Sequence, residues 1–325
     1  VIIFQLKQWA IEMKILKFFI VVLLLIHQLN AQKIVRVVPT VSGFVQPIYK
    51  VETSNNKIPA NEFLINRFRL GISGKYSDWT EAEIEIDPLD KNLVKDAFIN
   101  FAPFQNISLS IGRQKIPFSR ERLTSFKNIQ YFERPKFVKE FDGLAYAGRD
   151  IGLVANFNTK IEKINVNLSA GIFNGNKGDL NGDYNNSKTF AQRLEIKHRD
   201  FSFGFNSAQK FDSLSSKYFV ANGFDFEIEV IKNLKLSSEF LIGKKNSNTL
   251  TGGEFIALEY ALNDFLFGTR FSQYFSNINK NAINYYEAKI DYKPDRTIKI
   301  SFNWLVENKG SNYFNTIIIG ASYVF

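Results

Sequence analysis

The sequence contains no cysteine, two histidines and one methionine. The lack of cysteine excludes a disulfide framework, zinc-thiolate sites, iron–sulfur clusters and thiol nucleophiles. Past residue 31, no stretch approaches the roughly 18 apolar residues of a transmembrane helix. Histidine, the usual general base of barrel hydrolases, is reduced to His198 once His27 falls in a leader segment. His198 lies at the end of a predicted strand beside the short turn Arg199-Asp200 and reads as a solvated turn residue. No GxGxxG or P-loop pattern occurs, so the sequence calls for no cofactor and no enzyme.

What is present begins at Met13. The segment Met13-Lys14-Ile15-Leu16-Lys17 is basic and is followed by nine apolar residues, Phe18 to Ile26. His27-Gln28-Leu29-Asn30-Ala31 then ends on a small residue. This is the build of a signal peptide over 13–31 cleaved after Ala31, with residues 1–12 expected as an upstream extension outside the true start. Nine apolar residues cannot cross about 30 Å of hydrocarbon. The chain of 325 residues carries a formal charge of +9; losing Lys7, Lys14 and Lys17 against Glu12 leaves +7 on residues 32–325. Export argues against nucleic acid as the partner of this basic chain.

Residues 32–325 show period-2 alternation in segments of about ten residues. Ile298, Ile300, Phe302, Trp304 and Val306 alternate with Lys299, Ser301 and Asn303. Phe265, Phe267 and Phe271 oppose Gly268, Arg270 and Ser272. In a strand, alternate side chains point to opposite faces. Sixteen strands are predicted, at about 41–51, 62–76, 78–87, 93–102, 105–113, 149–158, 164–173, 189–198, 201–210, 218–230, 233–243, 253–262, 264–275, 283–292, 297–306 and 313–325. Short turns such as Asn263-Asp264 and Asp295-Arg296 are expected at one rim. Longer polar loops, Asn174–Lys188, Lys244–Thr251 and Ser276–Asn281, are expected at the other. That asymmetry, an even strand number and the aromatic C-terminus Phe325 point to an all-β, closed transmembrane barrel in an outer membrane, wide enough for a water-filled lumen.

One stretch between the fifth and sixth strands, residues 116–148, does not alternate, and an insertion of that length in a compact protein is usually functional. From Arg113 to Arg149 the chain has nine basic residues (Arg113, Lys115, Arg120, Arg122, Lys127, Arg134, Lys136, Lys139, Arg149) against Glu121, Glu133, Glu140 and Asp142, a net +5. A basic constriction attracts anions and repels cations. Solvated or neutralised loop charges are the competing interpretation, since Arg120/Glu121 and Glu133/Arg134 are neighbours.

The run Gly112–Ser125, GRQKIPFSRERLTS, resembles the phosphate-selective porin O and P family, which has a similar G-x-x-K-x-P-F-S-x-E-x-L stretch after a barrel strand. Arg67-Phe68-Arg69-Leu70-Gly71 resembles the family's Arg-rich second strand, Lys95-Asp96-Ala97-Phe98 its D-A-[YF] strand, and Arg149-Asp150-Ile151-Gly152 its return into the barrel. The resemblance spans roughly residues 60–160. It implies a trimer of sixteen-stranded barrels, with the loop at 116–148 folded into the lumen as its narrowest point, passing small anions such as phosphate or polyphosphate. The residues it marks are Arg67, Arg69 and Lys75 on the lumen parity of strand two, Arg113 and Lys115 leading into the loop, and Arg120 and Arg122 within it; the charge count of the loop adds Lys127 and Arg134 as candidates. Guanidinium forks match phosphate oxygens, while Lys acts as a point charge. Against a strong filter, Glu81, Glu83 and Glu85 share the lumen face with Arg67 and Arg69. Asp225, Glu227, Glu229, Glu239, Glu259, Glu287 and Asp291 also take lumen parity, against Arg193, Lys197, Lys235, Arg270, Lys289 and Lys299. A general diffusion porin of low selectivity and a barrel-anchored binding or adhesion protein are the alternatives. Partners outside the channel are outer-membrane lipid and two further copies of the chain.

Overall fold

The computed structural model describes residues 38–325, except 54–59, 181, 184, 185, 187 and 213–215. The predicted signal peptide and upstream extension lie outside the described residues. Sixteen strands follow one another: β1 (Thr40–Glu52), β2 (Asn61–Ser77), β3 (Thr80–Ile86), β4 (Val94–Phe104), β5 (Ile107–Lys115), β6 (Arg149–Ile161), β7 (Ile164–Phe173), β8 (Thr189–Lys197), β9 (Phe201–Asp212), β10 (Lys217–Ile231), β11 (Leu234–Asn246), β12 (Thr249–Leu262), β13 (Phe265–Phe275), β14 (Ile283–Tyr292), β15 (Ile298–Lys309) and β16 (Asn312–Val324). Each pairs antiparallel with its neighbours in the chain, and β1 pairs with β16 to close the barrel. At the seam Gly43 N–H donates to the Phe325 carbonyl at 2.8 Å and Phe325 N–H returns a bond to the Gly43 carbonyl at 3.1 Å. Closure leaves no open strand edge, which hydrocarbon could not satisfy.

The alternation in the sequence becomes the two faces of the wall. On β15, Ile300 and Trp304 are 48% and 46% exposed on the outside, whereas Ser301 and Asn303 between them are buried at 3% and 5%. In water such an apolar exterior would be an aggregation surface; facing lipid it is the stable choice. No helix among the described residues is long and apolar enough to cross a membrane; this barrel crosses with strands.

One rim has only tight connections, among them residues 78–79, 105–106, 162–163, 232–233 and 263–264. Asn233 and Asn263 take positive φ there (68° and 50°), a conformation that asparagine tolerates better than most residues. The opposite rim carries the connections 87–93, 116–148, 174–188 and 276–282. The expected loop Lys244–Thr251 is absent. β11 and β12 stay paired to Asn246↔Thr249, and Asn248 N–H donates to Asn246 Oδ1 at 3.0 Å across the turn. Polar sequence was the reason to expect a loop, but a ladder needs only backbone partners and continues into water past the hydrocarbon.

The segment 116–148 holds two short helices, α1 (Arg120–Leu123) and α2 (Lys136–Gly143), with a 3-10 turn at Phe126–Asn128 between them. Pro117 and Pro135 supply no backbone N–H for a ladder. The apolar side of this segment, Phe118, Phe137, Val138, Phe141 and Tyr146, is buried against inward-facing Ala191, Ala208, Ala221, Leu241, Phe255 and Ala257. Each such Phe contributes about 1.5–3 kcal/mol by leaving water. Two glycines make room. A Cβ on Gly253 would lie 2.5 Å from Phe137 Cβ, and one on Gly243 would lie 2.9 Å from Phe141 Cε1. The inner face of β8–β12 is therefore partly apolar, where strict alternation predicts polar residues throughout.

Candidate functional site

Three cations on the wall hold the segment by its backbone. Lys289 Nζ donates to the Gln130 carbonyl at 2.7 Å and Arg270 Nη2 to the Glu133 carbonyl at 2.8 Å, while an Arg67 Nη2 bond reaches the Phe132 carbonyl. A wall carboxylate holds the other end. Glu239 accepts the N–H groups of Arg120 (2.8 Å) and Glu121 (3.1 Å) at the start of α1, where helical N–H groups have no partner of their own. Ser119 Oγ caps the same turn, accepting from Arg122 N–H at 3.1 Å.

Opposite the apolar packing, two cavities meet. One of about 480 Å³ opens toward the long-loop rim, past Asp90, Asn92 and Lys177; the other, about 380 Å³, opens toward the short-turn rim, past Ser42, Gly71 and Phe325. Arg69, Phe126, Arg134 and Arg149 line both, so they form the neck of the passage. The long-loop cavity is lined by nine basic side chains (Arg67, Arg69, Lys95, Arg113, Arg122, Arg134, Lys139, Arg149, Lys177) and three acidic ones (Asp90, Glu133, Asp142). The short-turn cavity has five (Arg69, Lys115, Lys127, Arg134, Arg149) against three (Glu83, Glu85, Asp96).

The partners of these cations fall into two groups. Arg69 contacts Glu85 at 3.1 Å and Asp87 at 3.2 Å, Arg149 contacts Asp96 at 2.7 Å and Glu85 at 3.2 Å, and Arg122 contacts Asp142 at 2.7 Å. A carboxylate so placed cancels most of the charge seen from a distance. Arg113, Lys115 and Arg134 instead bond only backbone carbonyls among the described residues. Arg113 Nε donates to Val94 and Lys95 at 3.0 and 3.1 Å, and its Nη1 to Gly178; Lys115 Nζ donates to Leu123 at 2.7 Å. Arg134 donates to Glu121 at 2.9 Å and Thr124 at 2.6 Å. Arg67 lies between the two groups, with Gln46 Oε1 at 2.8 Å and Glu133 at 3.8 Å. Burial lowers the Arg134 guanidinium to about 10, so it stays charged at neutral pH.

Among the sequence-predicted residues, Arg67, Arg69, Arg113, Lys115, Arg122, Lys127 and Arg134 line one or both cavities. Two do not. Lys75 is exposed near the short-turn rim, in register with Glu81. Arg120 turns toward β10, where it pairs with Glu227 and donates to the Phe226 carbonyl at 3.2 Å. Of the lumen-parity cations on the later strands, Arg193 is spent on Asp225, Arg270 on Glu287 and Lys289 on Glu259. Sequence reasoning missed Phe126 as a neck residue, and no periodicity marks it. It also counted Glu239 as a lumen charge where it acts as an anchor.

His198 stacks on Phe201 (5.1 Å between centroids) and lies 3.6 Å from Asp200, within its turn. Among the described residues no cluster of three or more His, Cys, Asp or Glu could hold a metal ion.

No curated protein matches the chain. Solved structures share its fold across nearly its whole length. An anion-selective porin from Comamonas acidovorans superposes with a TM-score of 0.67 at 11% identity, over 89% of this chain and all of that one. OmpT of Vibrio cholerae in its trimer form gives 0.62 at 10% identity, over 90% of this chain and 100% of that one. The outer-membrane channel DcaP of Acinetobacter baumannii gives 0.58 at 13% identity, over 89% and 97%. The family model described as phosphate-selective porin O and P matches residues 41–211, just over half of the sequence. A closed barrel with an apolar exterior and a charged interior is an outer-membrane channel in fold, and the chain belongs to the phosphate-selective porin O and P family.

Proposed function

We propose that this channel passes small anions in preference to cations, with inorganic phosphate and polyphosphate among its solutes. The observation that carries the reading is that Arg113, Lys115 and Arg134 line the passage with backbone carbonyls, and no carboxylate among the described residues, as their partners. A carbonyl dipole orients a cation without cancelling its charge, and low-dielectric walls concentrate the resulting field. The long-loop cavity, with its nine basic and three acidic residues, is where a solute from outside would arrive first. Arg134 bonds carbonyls through Nε and Nη2, so its remaining N–H groups, the Nη1 pair among them, are the donors left for phosphate oxygens, which use such donors better than a spherical halide does. The segment 116–148 acts as the constriction, and Arg69 and Arg149 contribute less because carboxylates neutralise them. Lys75 and Arg120 have no part in selection.

The channel is read as a homotrimer reached after removal of a signal peptide at Ala31, in line with the trimer form of OmpT and with the leader-like residues 13–31. A weakly selective diffusion pore is the second reading, favoured by the ion pairs that silence most wall cations. Planar-bilayer recordings under a KCl gradient separate the two. The expected result is a reversal potential on the chloride side, with current reduced by millimolar phosphate. A reversal potential at zero supports the weakly selective pore, and one on the potassium side, or no conductance, overturns the anion reading.

A further inference from the structure

At the neck, one phenyl ring is flanked by three guanidinium groups. The Cζ atoms of Arg134, Arg67 and Arg69 lie 4.1, 4.3 and 5.0 Å from the centroid of Phe126. The three come from different places: Arg67 and Arg69 project from the same face of β2, and Arg134 comes from the segment beyond the 3-10 turn that Phe126 opens. Arg69 has two carboxylates within 3.2 Å and Arg67 one at 3.8 Å, while Arg134 has no ion pair among the described residues. Like charges gathered this closely repel, and each would move apart or recruit an acid if nothing offset the repulsion. An aromatic face carries partial negative charge and attracts a guanidinium within about 6 Å, without cancelling its net charge.

We propose that Phe126 is a positioning residue for anion selection, its ring holding Arg67, Arg69 and Arg134 together where the two cavities meet. The inference rests on the anion reading above. Guanidinium groups lie over the ring, so although Phe126 lines both cavities its role in selection is indirect. It also accounts for an aromatic residue at the centre of a charged neck, where a carboxylate would hold the arginines equally well but would silence them.

The test replaces the ring's electrostatics while keeping its shape. The full-length protein is made with pentafluorophenylalanine at 126, which reverses the quadrupole of the ring. Phe126→Leu and Phe126→Tyr are made alongside, and folding of each is checked by heat-modifiable mobility. Reversal potentials in a KCl gradient give the chloride-to-potassium permeability ratio. A cation–π contact at a partly exposed site is worth about 0.5–1 kcal/mol, so the ratio should fall roughly twofold to fivefold in the fluorinated and Leu proteins. Tyr should keep the wild-type value. A space-filling ring predicts instead that pentafluorophenylalanine behaves as wild type, and that result overturns the proposal. The parallel variant Arg134→Gln separates the two levels of inference. If it lowers the ratio while fluorination does not, the positioning role fails and the anion reading stands. If wild type is not anion-selective, both fail.

Discussion

Neutralising Arg134 is the sharpest test of how the neck works. Its side chain lines both cavities, carries no ion pair among the described residues, and bonds the carbonyls of Glu121 and Thr124 at 2.9 and 2.6 Å. A chloride passing about 4 Å from a unit charge gains about 1 kcal/mol in bulk water and about 4 kcal/mol at the effective dielectric of a protein surface. The neck opens to solvent through both cavities, so the aqueous end of that range applies. About 1 kcal/mol corresponds to roughly fivefold in relative permeability. Arg134→Gln should therefore lower the chloride-to-potassium ratio about fivefold in 0.1 M KCl. The effect should shrink toward unity in 1 M KCl, where the screening length falls to about 3 Å.

Two comparisons guard the inference. Arg134→Lys keeps the charge but not the planar fork that reaches both carbonyls, so it should keep most of the selectivity. If it loses as much as the Gln variant, the hydrogen bonds that pin the segment are what matter and the charge argument is wrong. Arg120→Gln removes the same formal charge from a side chain already paired with Glu227 and outside both cavities. It should change the ratio less than twofold, given the small net field of a paired charge. Equal losses from Arg120→Gln and Arg134→Gln would mean that selectivity follows total charge, and the distinction between paired and carbonyl-bound cations would fall.

Three other outcomes follow from the same contacts. Phe137→Ala with Phe141→Ala removes the main apolar docking of the segment at about 3–5 kcal/mol per ring; single-channel conductance should rise and become noisier while the barrel stays heat-modifiable. Glu239→Ala strips two N–H groups at the start of α1 of their acceptor, at about 1–3 kcal/mol, and limited proteolysis should then cut within 116–148 faster than in wild type. Asp142 is held above its ordinary value by burial, with Arg122 opposing; the folded state binds this proton more tightly than the unfolded one, so this group's contribution to stability falls as pH rises through the carboxylate range. Acidification toward pH 4 should release Arg122 and raise the chloride-to-potassium ratio, and Asp142→Asn should show a smaller rise when both are titrated in the bilayer.

Strand positions were legible because the lipid and lumen faces impose a period of two on every residue that crosses. β7 and β14 span Ile164–Phe173 and Ile283–Tyr292, where alternation alone puts them. Strand ends were less legible, as the continuous β11–β12 hairpin shows, because pairing outlasts the hydrophobic signal. Along the passage, parity on β2 tells that Arg67 points inward but not what it meets, while on β5 it puts Arg113 in step with the outward-facing Ile107, Leu109 and Ile111, although Arg113 lines the long-loop cavity. The acceptors of these two arginines, at Phe132 and Gly178, are backbone carbonyls in distant loops, and a carbonyl leaves no trace in the sequence. One signal was readable and unused. Phe219, Leu241 and Phe255 are bulky apolar residues at lumen parity on adjacent strands, and such a patch inside a water-filled barrel requires something apolar to cover it.

That patch and the neck have a common origin. A segment that continued to alternate would join the sheet and spend its carbonyls on the ladder. By breaking alternation and docking Phe137 and Phe141 of α2 on the apolar wall, it keeps a separate one-turn helix, α1, whose last carbonyls have no helical partner. Those of Glu121 and Leu123, with that of Thr124 just beyond, accept from Arg134 and Lys115. A buried cation needs an acceptor, and the usual one, a carboxylate, would extinguish the field that a channel for anions depends on. The open end of α1 supplies neutral acceptors at the required place. The interruption of strand rhythm at 116–148 thus lets cations bonded to carbonyls rather than carboxylates stand beside the passage, which is what the proposed constriction requires.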